Sequence, residues 1–183
     1  MRVAQSLDKY PLVEDYSEAI RLNPHFALAY NNRGIIYRRL RQFYLAIQDY
    51  NEAIRLNPNF ASAYYNRAIA YKSKGEYQQA IADYTEAIRL NPNYIHAYIN
   101  RGIAYDETSN DELALADFTK AIELDPNSAD AYANRGMVYL KKRDYELLFA
   151  DFDRALAINP NHKLALQNRA VAVRMQSANK DGV

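Results

Sequence analysis

The apolar and small residues of this chain fall into two alternating helical patterns. Over residues 27–40, Tyr30, Gly34 and Tyr37 stand at i, i+4 and i+7, one face of a helix. Over residues 44–56, Ala46, Tyr50, Ala53 and Ile54 again share a face. The spacing predicts helices over roughly Ala27–Leu40 and Tyr44–Leu56, with Arg41-Gln42-Phe43 turning between them. The double pattern returns over 61–94, 95–128 and 129–162, punctuated by Leu22-Asn23-Pro24, Leu56-Asn57-Pro58, Leu90-Asn91-Pro92, Leu124-Asp125-Pro126 and Ile158-Asn159-Pro160. Proline lacks an N–H and biases the preceding residue away from the helical region, so each one ends a helix. In the second copy the turn is Lys74-Gly75-Glu76, where glycine suits a left-handed C-cap.

The prolines recur every 34 residues. A fixed interval of that length predicts an all-α solenoid of antiparallel helix pairs, not a globule around one core. The expected organisation is one repeat domain over 1–178, followed by a tail over 179–183. Within it, 1–26 is a partial leading repeat whose segment 14–22 matches a second helix. Four full repeats follow at 27–60, 61–94, 95–128 and 129–162, and residues 163–178 form a lone first helix that caps the array, with Arg174, Gln176 and Ser177 towards solvent. Counting positions from the start of each repeat, position 8 is always small (Gly34, Ala68, Gly102, Gly136, Ala170) and position 27 always alanine (Ala19, Ala53, Ala87, Ala121, Ala155), which lets paired helices approach closely. Position 20 is alanine in three repeats but Leu148 in the fourth and Leu12 in the leading one, where extra volume should force repacking.

In the second repeat the recurring residues are Tyr64, Ala68, Tyr71, Ala80, Tyr84, Ala87 and Pro92. This pattern, over nearly the whole chain, resembles the tetratricopeptide repeat (TPR) family. Arginine at position 7, where the family more often has leucine, is a departure. The resemblance implies a right-handed superhelix of helix pairs, first helices lining a concave surface that usually binds a peptide segment of another protein.

Composition changes little in that picture. Lys plus Arg number 23 against 22 Asp plus Glu, a net charge of +1, so neither nucleic acid nor an anionic membrane surface is an expected partner. No apolar run suits a signal peptide or a membrane span, and with no cysteine, thiolate chemistry is absent; a cytoplasmic protein is expected. His25, His96 and His162 are isolated, and no phosphate-binding loop or nucleophile–base motif occurs, so no catalytic residue, metal or cofactor is expected.

Three sets of residues are candidates for function. Asn32, Asn66, Asn100, Asn134 and Asn168 hold position 6, and a row of amides can pair with the N–H and C=O of an extended peptide; alternatively they are exposed filler or bond to a neighbouring helix. Beside them Tyr65, Ile69, Arg38 and Lys72 would set sequence preference, on a groove basic towards its N-terminal half and acidic in the third repeat at Asp106 and Glu107. The asparagine resembles the one used by the family's chaperone-tail clamps, but the basic residues that clamp needs at positions 2 and 5 are missing. The third set is an acid–base ladder. Position 23 is Asp15, Asp49, Asp83, Asp117 and Asp151, and position 7 is Arg33, Arg67, Arg101, Arg135 and Arg169. Pairing within a repeat strands Asp15 and Arg169; pairing each aspartate with the arginine of the next repeat uses all ten, so inter-repeat salt bridges are expected, with an arginine row for an acidic ligand as the alternative. The function expected is a non-catalytic scaffold holding an extended peptide of a protein partner. The alternative is self-association or intramolecular regulation through the N-terminal half-repeat, within a larger protein.

Overall fold

Each proline-terminated segment folds as a helical hairpin. The computed structural model describes residues 11–181, and side chains over 12–177; expectations for residues 1–10 and for the last two residues lie outside this range. The helices are α1 (Pro11–Leu22), α2 (Ala27–Arg39), α3 (Phe43–Leu56), α4 (Ala61–Ser73), α5 (Tyr77–Leu90), α6 (Ile95–Glu107), α7 (Asp111–Leu124), α8 (Ala129–Lys142), α9 (Tyr145–Ile158) and α10 (Lys163–Asp181). They form an all-α solenoid of consecutive pairs, α2 with α3, α4 with α5, α6 with α7 and α8 with α9. The chain divides into two compact units, Met1–Pro92 and Asn93–Val183. In the first, α1 packs on α2 and α3 on α4; in the second, α7 packs on α8 and α10 on α9 and α8. The last helix runs to Asp181, past the boundary expected at 178. No helix among the described residues is long and apolar enough to cross a membrane.

The Leu-Asn-Pro segment ends a helix in two ways at once. The N–H of Asn57 donates to the Ala53 carbonyl at 2.9 Å while its backbone opens to an extended conformation, as the following proline requires. Its side-chain oxygen then accepts the Asn59 N–H at 3.1 Å. Asn23, Asp125 and Asn159 do the same for His25, Asn127 and Asn161. This Asx-turn explains why the position holds only asparagine or aspartate. The tighter turn inside each repeat places Arg41, Gly75, Ser109 and Arg143 at φ between 57° and 79°. Only the second repeat uses the residue suited to that backbone.

The core is a sequence of rings seated on bare helix. Tyr50, Tyr84, Phe118 and Phe152, at position 24, are at most 1% exposed. A Cβ added at Gly34, Gly102 or Gly136 would come within 2.7 Å of the facing ring, so the small residue at position 8 sets how closely the two helices approach. The larger Leu148 is fully buried without a break in the pattern. It shares a core cluster with Ala133, at position 5, whereas Ala114, its counterpart one repeat earlier, shares one with Ile99. Large and small have exchanged places across the helix pair, which conserves volume.

Among the described residues the Tyr84 hydroxyl is buried without a hydrogen-bond partner, and the buried Tyr50 hydroxyl lies beside the Arg38 guanidinium. Burial pushes the Tyr50 phenol up to about 12 and raises Tyr84 as well. Tyr84→Phe, the residue two later repeats already carry, should stabilise the fold by about 1 kcal/mol, read from the urea midpoint. Stability should hold below pH 10 and fall as pH climbs from 10 towards 12, because unfolded phenols ionise there and the buried ones resist; a Tyr50→Phe, Tyr84→Phe double variant should lose less over that window. Ser109→Gly should add about 1 kcal/mol by relieving the left-handed backbone, with the urea midpoint as the measure.

Candidate functional site

The ladder residues meet, but in the other register. The Nε and Nη2 of Arg33 donate to the two carboxylate oxygens of Asp49 at 2.8 and 2.7 Å, within the same repeat. Arg67–Asp83, Arg101–Asp117 and Arg135–Asp151 repeat this fork. The expected inter-repeat pairs, Asp15–Arg33, Asp49–Arg67, Asp83–Arg101, Asp117–Arg135 and Asp151–Arg169, are replaced by these, and Asp15 lies exposed. The reason is reach: positions 7 and 23 lie on facing sides of one hairpin, seated by the ring beneath position 8.

A second tether joins repeats. The remaining guanidinium edge, Nη1, donates from Arg33 to Ser17 Oγ at 3.0 Å, from Arg67 to Asn51 Oδ1 at 2.7 Å and from Arg135 to Thr119 Oγ1 at 3.1 Å. The acceptors hold position 25 of the preceding repeat. Arg169, with no second helix after it among the described residues, turns its Nε to Asp153 at the same position. Sequence reading passed over position 25, although Ser17, Asn51, Thr85, Thr119 and Asp153 are all acceptors, which was the available signal. Tyrosines at positions 4 and 11 flank the guanidinium, their centroids 5.6–5.9 Å from Arg33, Arg67 and Arg101. Hydrogen bonding to Asp49 raises Arg33, while burial pushes the Asp49 and Asp83 carboxyls up against the pull of their arginines. Arg33, Arg67, Arg101 and Arg135 thus each spend their fork on the aspartate of their own hairpin.

The position-6 asparagines share a place on the first helices but not a set of bonds. In the second unit the Nδ2 groups of Asn100, Asn134 and Asn168 donate back one turn, to the His96, Asp130 and Leu164 carbonyls at 2.7–2.9 Å. In the first unit Asn66 donates to Asn31 Oδ1 at 3.0 Å, and Asn31 donates to Asn32 Oδ1 at 3.2 Å. The hub, Asn31, is only 4% exposed. Tyr65 packs at 5.8 Å on Tyr84, and Ile69, Arg38 and Lys72 are half-buried nearby along α2 and α4.

The charges differ between the units. Neither α2 nor α4 contains a carboxylate, and among the described residues Arg38 and Arg39 form no salt bridge. In the second unit the acidic patch expected at the third repeat is partly neutralised: Lys141 bonds Asp106, and Lys142 bonds Glu112 at 3.1 Å. His162, expected to be isolated, lies 2.9 Å from Asp130. Among the described residues no three His, Cys, Asp or Glu side chains gather as a metal site. A separate hollow of about 480 Å³ at the hairpin tips, lined by Arg41, Phe43, Tyr44 and Lys74 among others, contains none of the expected site residues.

Arg135→Ala should cost roughly 2–3 kcal/mol in urea unfolding, less than a fully buried pair because the arginine keeps part of its surface in water. Arg55→Ala, which breaks the exposed pair with Glu52, should leave the midpoint unchanged.

The tetratricopeptide repeat pattern matches residues 27–60, 61–94 and 96–128, and a second pattern of the same repeat matches 118–147. No curated protein matches significantly. Among solved structures, a crystal structure of MamA aligns over 81% of this chain and 87% of its own, with 26% identity and a TM-score of 0.76. The Arabidopsis OM64 TPR domain aligns over 63% of this chain and 95% of its own, with 29% identity and a TM-score of 0.61. MamA from Desulfovibrio magneticus RS-1 shares the fold at 19% identity and a TM-score of 0.76, over 87% and 92% of the two chains. With three consecutive repeats matched, each folded as a helical hairpin, the chain belongs to the tetratricopeptide repeat family of protein-interaction scaffolds.

Proposed function

We propose that the chain is a non-catalytic, cytoplasmic scaffold that holds an extended peptide of a partner protein along its first helices. The observation that carries this reading is the bonding of Asn134 and Asn168. Each spends its Nδ2 on its own helix, which fixes the side chain and leaves Oδ1 as an oriented acceptor for a peptide N–H. Contact through main-chain groups tolerates many sequences, so preference comes from neighbours. On the first unit Tyr65, Ile69, Lys72 and Arg38 stand along α2 and α4, the helices that carry Asn32 and Asn66. A surface with cations and no carboxylate on α2 or α4 favours a peptide carrying Asp or Glu.

Asn134 and Asn168 suit the test because their intrahelical bonds add little to the fold. An Asn134→Ala, Asn168→Ala double variant should bind an array-selected peptide about tenfold more weakly, as loss of roughly 1.4 kcal/mol of hydrogen bonding implies. Arg38→Ala should weaken acidic peptides and flatten the salt dependence of their binding, measured by fluorescence anisotropy. Unchanged affinity in the double variant would remove the asparagines from the reading.

A further inference from the structure

The four complete repeats define what a finished helix pair looks like, and two helices of this chain fall short of it in complementary ways. In a finished pair, positions 24 and 27 of the second helix are buried to 1% or less. On α1 the same positions, Tyr16 and Ala19, stay half-exposed, Asp15 is exposed, and Leu12 is 54% exposed. These residues stand at i, i+3, i+4 and i+7, one unpartnered stripe. On α10 the matching stripe is Leu166, Arg169, Ala170 and Val173. Leu166 and Val173 are 47% and 44% exposed, and Ala170 is exposed where Ala68 and the three glycines at position 8 are buried. α1 is thus a second helix with no first helix before it among the described residues, and α10 a first helix with no second helix after it.

The charges at the two stripes match as well. In the finished repeats the position-7 arginine forks onto the position-23 aspartate and gives its last edge to position 25 of the repeat before. Asp15 is a position-23 aspartate without its arginine. Arg169 is a position-7 arginine whose fork rests on Asp153, the only charged residue at position 25. We propose that α10 of one copy receives α1 of a second copy, completing a fifth repeat between chains. Arg169 moves its fork to Asp15 of that copy and keeps Asp153 on the free edge. Tyr16 seats over Ala170, and Leu12, Ala19, Leu166 and Val173 leave water. The contact joins two different surfaces, so each addition leaves one α1 and one α10 open, and assembly proceeds head to tail. This surface is separate from the peptide-binding face and stands whether or not a peptide binds there.

Sedimentation velocity of the full chain across a concentration range tests it. The mean mass should rise past a dimer with concentration. Asp15→Arg alone sets two arginines together across the contact, and Arg169→Asp alone sets two aspartates together, so each should lower the association constant by at least about tenfold. An equimolar mixture of the two variants should associate again, since every contact in an alternating chain then joins opposite charges. Both substitutions are at exposed or half-exposed positions, and unchanged helical circular dichroism together with the rescue shows that each variant is folded. A wild-type mass that stays at one chain overturns the proposal. So does association that survives both single swaps, which assigns the contact to another surface, or a mixture that fails to recover.

Discussion

One guanidinium per repeat, shared between two helix pairs, governs how the helices stack in each compact unit. Its fork holds the aspartate on the facing helix, its third edge reaches back to the repeat before, and tyrosine rings cover its faces. Lysine offers no planar fork and no separate edge, so the arrangement needs arginine. The aspartates are only 4–6% exposed, and taking such a pair out of water offsets much of its Coulombic gain. What the ties supply is registry: a helix pair that slid along its neighbour would strand a buried carboxylate and lose the second tether together.

The helices and their order were readable from spacing alone, because proline and small-residue periodicity report on backbone constraints that act locally. The ladder was readable as a set of residues but not as a set of pairs. Counting partners favoured the register that used all ten charges, whereas the hairpin geometry favours the nearer carboxylate and leaves Asp15 and Arg169 over. The neutral acceptors at position 25 escaped notice because Ser17, Asn51 and Thr119 look unrelated until an arginine edge touches each of them. The asparagine row was visible, but its chemistry was not: whether an amide turns to its own helix, as Asn134 does, or to a neighbouring helix, as Asn66 does, depends on what stands at position 5.

The two compact units handle charge differently. In the second, lysines of the fourth repeat close on acids of the third, so Asp106 and Glu112 are committed internally. In the first, Arg38 on α2 lies near the buried phenols of Tyr50 and Tyr84, and neither α2 nor α4 carries an acid. The same repeat scaffold therefore offers one face whose acids are paired with lysines and one whose first helices carry cations and no acid, a difference that position-by-position similarity between repeats conceals.

The exchange between Ile99 with Ala114 and Ala133 with Leu148 sets a rule for recombination. At positions 5 and 20 each pair brings one large and one small side chain, on opposite helices, into its core cluster. Moving α7 onto α8, or α9 onto α6, would bring together two alanines or an isoleucine and a leucine, leaving a void or a clash. Moving a whole hairpin carries both partners along. The third and fourth repeats are therefore modular at their prolines and indivisible at their inner turns: either hairpin can move whole, while α7 and α9 cannot trade places.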